Sequence, residues 1–342
     1  MKPHWHGRYF NLLEMVFGIF LAGVVLIAAY YGVIFMVSET HEGREKVGLQ
    51  RDADIAAYWI ELTVREGSWA WLDTSDDDSL VVQNFAAGWQ RRIYADGNSL
   101  MIDSGSGGEE IVSTLSSIHF YPYSARVEYE LEVQDEEGRF ALNSSKSLRN
   151  VQYRGVWHFS EGGGEVTYDD SPFNNSAGIY GASWTTGPLD SALAFDGQDD
   201  RLWIPDNPDL EPDQRLGFGA LMRLSSTATQ TIFNRHAEAA AQGFMHLYID
   251  GGRISYAFSN GGSVVRTSSS SLSWTSGQWY EIAVQHDTIT GRVHFYRDGV
   301  RVGAASTSGF LAATSGDGWI GRYQDSQYPL HGALDELTYL NF

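Results

Sequence analysis

The sequence predicts a mainly β protein with one long N-terminal helix: a membrane-crossing segment that continues into an α+β unit, followed by a β-sandwich. Three observations predict it. From Met15 to Val37 no residue carries a formal charge. From Ser38 to about Gly67 apolar residues recur among Glu, Arg, Lys and Gln at helical spacing, and short strand-like runs follow as far as Leu148. From Tyr153 onward short strands alternate with turn signals and no helical period intervenes.

The first segment is long enough to span. At 1.5 Å per residue the uncharged run reaches roughly 35 Å, against a hydrocarbon core of about 30 Å. A cleaved secretory signal would have a shorter apolar core and end in small residues, whereas this run ends in aromatics and Met. Lys2 and Arg8 precede it and acidic residues crowd its far side. A transmembrane helix is expected over residues 10–37 behind a cytoplasmic leader of residues 1–9, and the positive-inside rule places the bulk of a single-pass protein outside, extracellular or periplasmic.

Glu14 stands at the entry of this run, in Phe10-Asn11-Leu12-Leu13-Glu14. An acid at the membrane edge suggests a role, although a first-turn acid also favours the positive end of a helix. The stretch resembles the N-terminus of type IV pilins and type II secretion pseudopilins. In that family a peptidase cuts after Gly, Phe becomes the first residue and Glu stands fifth. Glu14 is fifth from Phe10, but Tyr9 precedes Phe10 and the nearest Gly is Gly7, which is out of register. The resemblance implies that Phe10 and Glu14 serve assembly with other pilin-like subunits.

Next comes the α+β stretch, residues 38–150. Val47, Ile55, Tyr58, Trp59 and Leu62 supply the apolar positions of a helix, and Asp73–Ser79 breaks the chain. Strand-like runs follow at Leu80–Ala86, Arg91–Ala95, Ser99–Asp103, Glu110–Tyr121, Arg126–Gln134 and Arg139–Leu148. Val127 to Val133 alternates apolar and acidic, the pattern of a strand with one solvated face. This layout resembles the head of the larger minor pseudopilins.

Residues 151–342 form the sandwich. Strands are expected at Leu216–Leu224, Thr231–His236, Phe244–Ile249, Arg253–Phe258, Trp279–His286, Arg292–Arg297, Trp319–Arg322 and Ala333–Leu340. Asp250-Gly251-Gly252 and Asp298-Gly299 are hairpin turns. The path runs from Trp157-His158-Phe159 through Ala192-Leu193-Ala194-Phe195-Asp196-Gly197 and Phe295-Tyr296-Arg297-Asp298-Gly299 to Gly332-Ala333-Leu334-Asp335-Glu336-Leu337. It resembles a laminin-G-like domain of the concanavalin A-like jelly-roll superfamily over Tyr153–Phe342. Its motifs run from first strand to last, so residues 153–342 are expected to fold alone.

Composition narrows the chemistry. Acidic residues number 43 against 23 basic ones, a formal charge of -20, which argues against nucleic acid as a partner. Cys is 0, which removes disulfides and thiolate chemistry. A hydrolase would need two carboxylates about 5–9 Å apart. After Asn150 no Glu-x-Asp-x-Glu strand occurs, and strand alternation puts Asp335 and Glu336 on opposite faces. No enzyme is expected. His236, His246, His286 and His294 read as structural or surface residues, with a His-only metal site as the alternative. The resemblance implies a calcium ion, a hard cation taking carboxylate and carbonyl oxygens, with Asp170, Asp196, Asp200 and Asp335 as candidates; turn capping is the alternative. Asp206–Asp213 reads as a solvated loop. Trp184, Trp203, Trp274 and Trp319 either stack on sugars or fill the core.

Together the two resemblances imply a membrane-anchored minor pilin or pseudopilin. It would display an extracellular domain for adhesion or for glycan or protein recognition in a pilus or secretion filament. The alternative is a single-pass surface adhesin or receptor outside any filament, and behind it a membrane-tethered carbohydrate enzyme.

Overall fold

In the computed structural model, residues 48–73, 79–85, 87–123, 126–136, 138–149, 151–236, 244–308, 311–312, 316–323 and 327–342 are described. The helix covers 48–66. Its buried stripe is Leu49, Ala53, Ala56, Ala57, Ile60 and Val64, recurring at three and four residues. The expected apolar positions Ile55, Tyr58 and Trp59 lie on the opposite, exposed face. The reason is steric: the alanines let the helix approach the strands closely, where the larger rings would not fit. Lys146 Nζ then ties the strand Arg139–Ser147 to Glu61 of the helix at 2.9 Å.

This helix carries Arg51, Asp52, Asp54, Arg65 and Glu66 and spends its apolar stripe on protein. Among the described residues no helix is long and apolar enough to cross a membrane. The expected single-pass localisation is corrected on that finding. The expected span 10–37, with Phe10 and Glu14, lies outside the described residues.

Strands dominate the rest. A three-stranded antiparallel sheet holds Leu115–Pro122, Arg126–Gln134 and Arg139–Ser147. Val127, Tyr129, Leu131 and Val133 point to the core and the intervening acids point out, as the alternation requires. The run expected as one strand, Glu110–Tyr121, is two: Gly108–Val112 pairs with Ser99–Asp103, and Leu115–Pro122 opens the other sheet.

Two sheets form the jelly-roll sandwich. The eight-stranded one runs Val166–Thr167, Ala177–Tyr180, Arg201–Ile204, Gly318–Ile320, Gln230–His236, Phe244–Asp250, Arg253–Ser259 and Val264–Ser268. The opposing part of a thirteen-stranded sheet runs Ser183–Thr186, Ser191–Asp196, His331–Asn341, Arg215–Leu224, Trp279–Asp287, Arg292–Arg297 and Val300–Ser306, with Gln152–Trp157 also paired to His331–Asn341. Between them lies a core that includes Trp157, Phe218, Phe233, Tyr256, Phe295 and Tyr339, all fully buried. The hairpin turns fall where Gly is needed: Gly251 and Gly252 take φ of 56° and 76°, and Asp298 and Gly299 take 52° and 73°.

The thirteen-stranded sheet does not stop at the sandwich. It continues through Trp69–Asp73, Ser79–Asn84, Trp89–Asp96, Ser99–Asp103 and Gly108–Val112 of the helix-bearing unit. The junction is one parallel pairing, Leu72 with Val300, where the Leu72 N–H donates to the Gly299 carbonyl at 2.9 Å. A small aromatic core covers it, with Trp69 5.7 Å from Tyr296 and 5.4 Å from Phe342.

Candidate functional site

The outer face of the eight-stranded sheet is built by alternation. Leu202, Ile204, Ile320, Phe233, Met245, Leu247, Tyr256 and Phe258 enter the core, so the residues between them face away. The pairings then draw one row across the sheet: Trp203 with Trp319, Trp319 with Asn234, Asn234 with His246, His246 with Ala257 and Ala257 with Arg266. Trp203 and Trp319 are half-buried neighbours and stay out of the core. Trp184 and Trp274 instead pack against the core's edge, their indole N–H groups donating to the carbonyls of Gly164 and Gly252.

Aromatic side chains extend the row. His246 stacks on Tyr248 at 4.3 Å and 15°, and Tyr323 lies 5.0 Å from His246 and 5.2 Å from His236. His246 is buried within 3.0 Å of the Thr231 hydroxyl, and burial pushes its pKa down to about 3, so it is neutral. Burial likewise takes His286 down to about 4. Neither ring carries charge at neutral pH, in keeping with structural roles.

At one end of this face sits an acidic turn. Asp196 ends the strand Ser191–Asp196, Gly197 reverses the chain at φ 80°, and Asp200 opens the strand Arg201–Ile204. Oxygens of Asp196, Asp199 and Asp200 lie within 4.8 Å of one another. Asp200 is buried and accepts the Asp196 N–H at 2.7 Å. Burial raises its pKa, and the charges of Asp196 and Asp199 add to the rise. Gly181, at φ 84°, leaves the space the Asp200 carboxylate fills. A carboxylate desolvated beside two others suits a hard cation with oxygen ligands. The neighbouring Arg201 leans over Tyr180 at 5.0 Å and donates to the Asp199 carbonyl rather than to the carboxylates.

The other two expected ligands lie elsewhere. Asp196 pairs with His331, four residues from Asp335, which at about 3.3 Å per residue is roughly 13 Å away. Asp170 and Asp335 instead gather with Glu336 around His158. His158 Nδ1 is 2.9 and 3.0 Å from the two Glu336 oxygens, and Nε2 is 3.5 Å from Asp170 Oδ2. The hydrogen bond to Glu336 raises the His158 pKa. This corrects the reading of Asp335 and Glu336 as separated by alternation. Glu336 takes φ 51°, and the register shifts from Gly219 opposite Thr338 to Leu221 opposite Asp335. That bulge breaks the two-residue period, and both acids act on one imidazole.

Residues 196–341 match the family model described as the concanavalin A-like lectin/glucanases superfamily. The distal part of the chain carries a laminin-G-like, concanavalin A-like domain. No curated protein matches the sequence. Among solved structures, this chain is similar to the binding domain of Paraclostridial Mosquitocidal Protein 1, at 10% identity and TM-score 0.45 over 56% of this chain and 49% of that one. It is also similar to domain 4 of AbnA, a GH43 extracellular arabinanase from Geobacillus stearothermophilus, at 16% and 0.44 over 56% and 93%. For domains LG4-5 of the mouse laminin alpha1 chain the values are 14% and 0.37 over 47% and 45%. This chain spans about half the length of the mosquitocidal and laminin structures. Likeness at these values carries no argument about ligand or mechanism.

The sequence named Trp203, Trp319, Asp196 and Asp200 but not Tyr248, Tyr323, Asp199 or the His158–Glu336 pair. Asp199 was visible beside Asp200. The others come together only through strand pairing.

Proposed function

We propose that the laminin-G-like domain is a non-catalytic recognition module that binds a glycan on the outer face of its eight-stranded sheet. The carrying observation is the cross-strand pair Trp203–Trp319, two half-buried tryptophans at facing positions of adjacent strands and outside the core. Sugar rings present C–H faces that stack on such surfaces, and Arg266 and Tyr248 offer polar groups along the same face. The acids gather at the edge of the row rather than across it, an arrangement suited to recognition rather than hydrolysis. Trp203→Ala and Trp319→Ala should each weaken binding on a glycan array about tenfold or more, roughly 1.4 kcal/mol, with little change in melting temperature. A screen without a glycan ligand would sink this reading and leave a protein ligand as the alternative.

A calcium ion held by Asp196, Asp199 and Asp200 belongs to the same reading, since it would stiffen the turn that leads into Trp203. Binding to the folded state alone stabilises by about 2.7 kcal/mol at a hundredfold excess over Kd. Millimolar calcium should therefore raise the melting temperature relative to EDTA, magnesium should substitute poorly, and Asp200→Asn should abolish the rise. Identical melting curves with calcium and EDTA would return these acids to turn capping.

A further inference from the structure

The helix over 48–66 has a second apolar side. Its alanine stripe is spent on the core, yet Ile55, Tyr58 and Trp59 are 38%, 61% and 38% exposed, and Leu62 is half-buried beside them. Apolar residues scattered singly over a surface are ordinary, whereas several gathered on one side of one helix mark a contact surface. Ile55, Tyr58 and Leu62 step by three and four residues, so they form one line along the axis. Trp59 flanks the line, edge to face with Tyr58 at 5.9 Å.

Opposite charges stand at the two ends of the line. At the N-terminal end Arg51 pairs with Asp52 at 3.3 Å, which leaves Asp54. At the C-terminal end Glu66 pairs with Arg91 at 3.1 Å, which leaves Arg65. Neither Asp54 nor Arg65 makes an ion pair among the described residues. This pattern is its own complement under a two-fold axis. When a second copy of the helix is laid end for end about the point between Tyr58 and Trp59, Ile55 meets Leu62 and Tyr58 meets Trp59. Asp54 then lies within about 3 Å, measured along the axis, of the other copy's Arg65, and the pair occurs twice. A parallel copy would instead set Asp54 against Asp54 and Arg65 against Arg65.

We propose that a second copy of this chain docks on this line, the two helices antiparallel across a two-fold axis. A standard interface uses about 20–30 residues a side, and this line supplies fewer, so the pair should dissociate at micromolar concentrations. Cys is 0 in the chain, so an introduced cysteine reports this contact alone. The test is disulfide formation in the full chain under mild oxidation. A disulfide needs Cα atoms within about 7 Å. In the antiparallel pair position 55 faces position 62 and lies roughly 10 Å along the axis from its own copy. Ile55→Cys mixed with Leu62→Cys should therefore form the mixed dimer at least tenfold faster than either forms a dimer alone. Tyr58→Cys, beside the axis, should form a dimer by itself, and Glu130→Cys on the exposed strand face sets the background rate. Asp54→Arg added to Tyr58→Cys should slow the reaction several-fold, and Arg65→Asp added to both should restore it. Should a cysteine variant fold poorly, sedimentation of the parent chain should still show a concentration-dependent dimer that Trp59→Glu abolishes. Ile55→Cys closing alone as fast as the mixture would make the pair parallel and overturn the proposal. Rates no higher than that of Glu130→Cys, or a double charge exchange that restores nothing, would overturn it as well and leave the line to another occupant.

Discussion

Trp69→Ala is expected to lower stability by about 3–5 kcal/mol, the range for truncating a large buried aromatic side chain. Trp69 is 1% exposed, yet it belongs to the helix-bearing unit and its partners belong to the sandwich. It packs against Tyr296 and Phe342, and Gly217 lies beneath it, where a Cβ would meet the indole at 2.7 Å. The ring therefore couples the two units beside the strand junction, together with Trp71 against Tyr296 and Phe85 against Phe342. At roughly 2–4 °C per kcal/mol, the melting temperature should fall on the order of 10 °C. Calorimetry should also show one transition in the parent protein and two in the variant, because the coupling is lost. A loss below about 1 kcal/mol with an unchanged single transition would mean that the seam contributes little. The same packing bears on the expectation that residues 153–342 fold alone: without Trp69 and Trp71, buried Tyr296, Leu340 and Ala283 face water.

Much of the sandwich was legible because its strands alternate. The expected Leu216–Leu224, Arg253–Phe258 and Arg292–Arg297 stand within a residue of Arg215–Leu224, Arg253–Ser259 and Arg292–Arg297. Strands that bury few side chains were not legible. Ser183–Thr186 and Val300–Ser306 bury little, so their sequences carry no strong period. Trp69–Asp73 was missed for a different reason: Trp69-Ala70-Trp71 is buried on both faces, once against its own unit and once against the sandwich, so it does not alternate. A period of two says which side chains leave the core but not what covers them. At the candidate site the acidic turn was legible because Asp196, Asp199 and Asp200 are neighbours in sequence. The His158 cluster was not: its members are up to 178 residues apart and depend on a bulge that alternation cannot foresee.

Asp335→Asn is expected to stabilise the protein at pH 8 and to leave it unchanged near pH 4. Asp335 is fully buried; its Oδ1 accepts the Glu336 N–H at 2.9 Å, while Oδ2 has no partner. Burial pushes its pKa up to about 7, and the Glu336 charge adds to the rise. The unfolded chain releases this proton near pH 3.9. Between about pH 4 and 7 the folded state thus holds a proton that the unfolded state has lost, and stability falls as pH rises through that window. Above it the protein carries a buried, half-partnered charge. At about 1.4 kcal/mol per unit the upper bound on that cost is on the order of 4 kcal/mol. The neutral amide keeps the Glu336 contact and removes the charge, so the variant should gain on the order of 1–3 kcal/mol at pH 8 and flatten the pH profile of stability. His158 contributes a slope of the same sign, because its raised pKa gives stability below the unfolded value that is lost as the imidazole deprotonates; some slope therefore survives in Asp335→Asn. The calcium response should survive intact, since Asp335 stands roughly 13 Å along the strand from the acidic turn. Denaturant titrations of both proteins from pH 4 to 8, with and without calcium, separate the cases. A variant less stable at pH 8 that also loses its calcium response would make Asp335 a metal ligand and move the cation site to the His158 cluster.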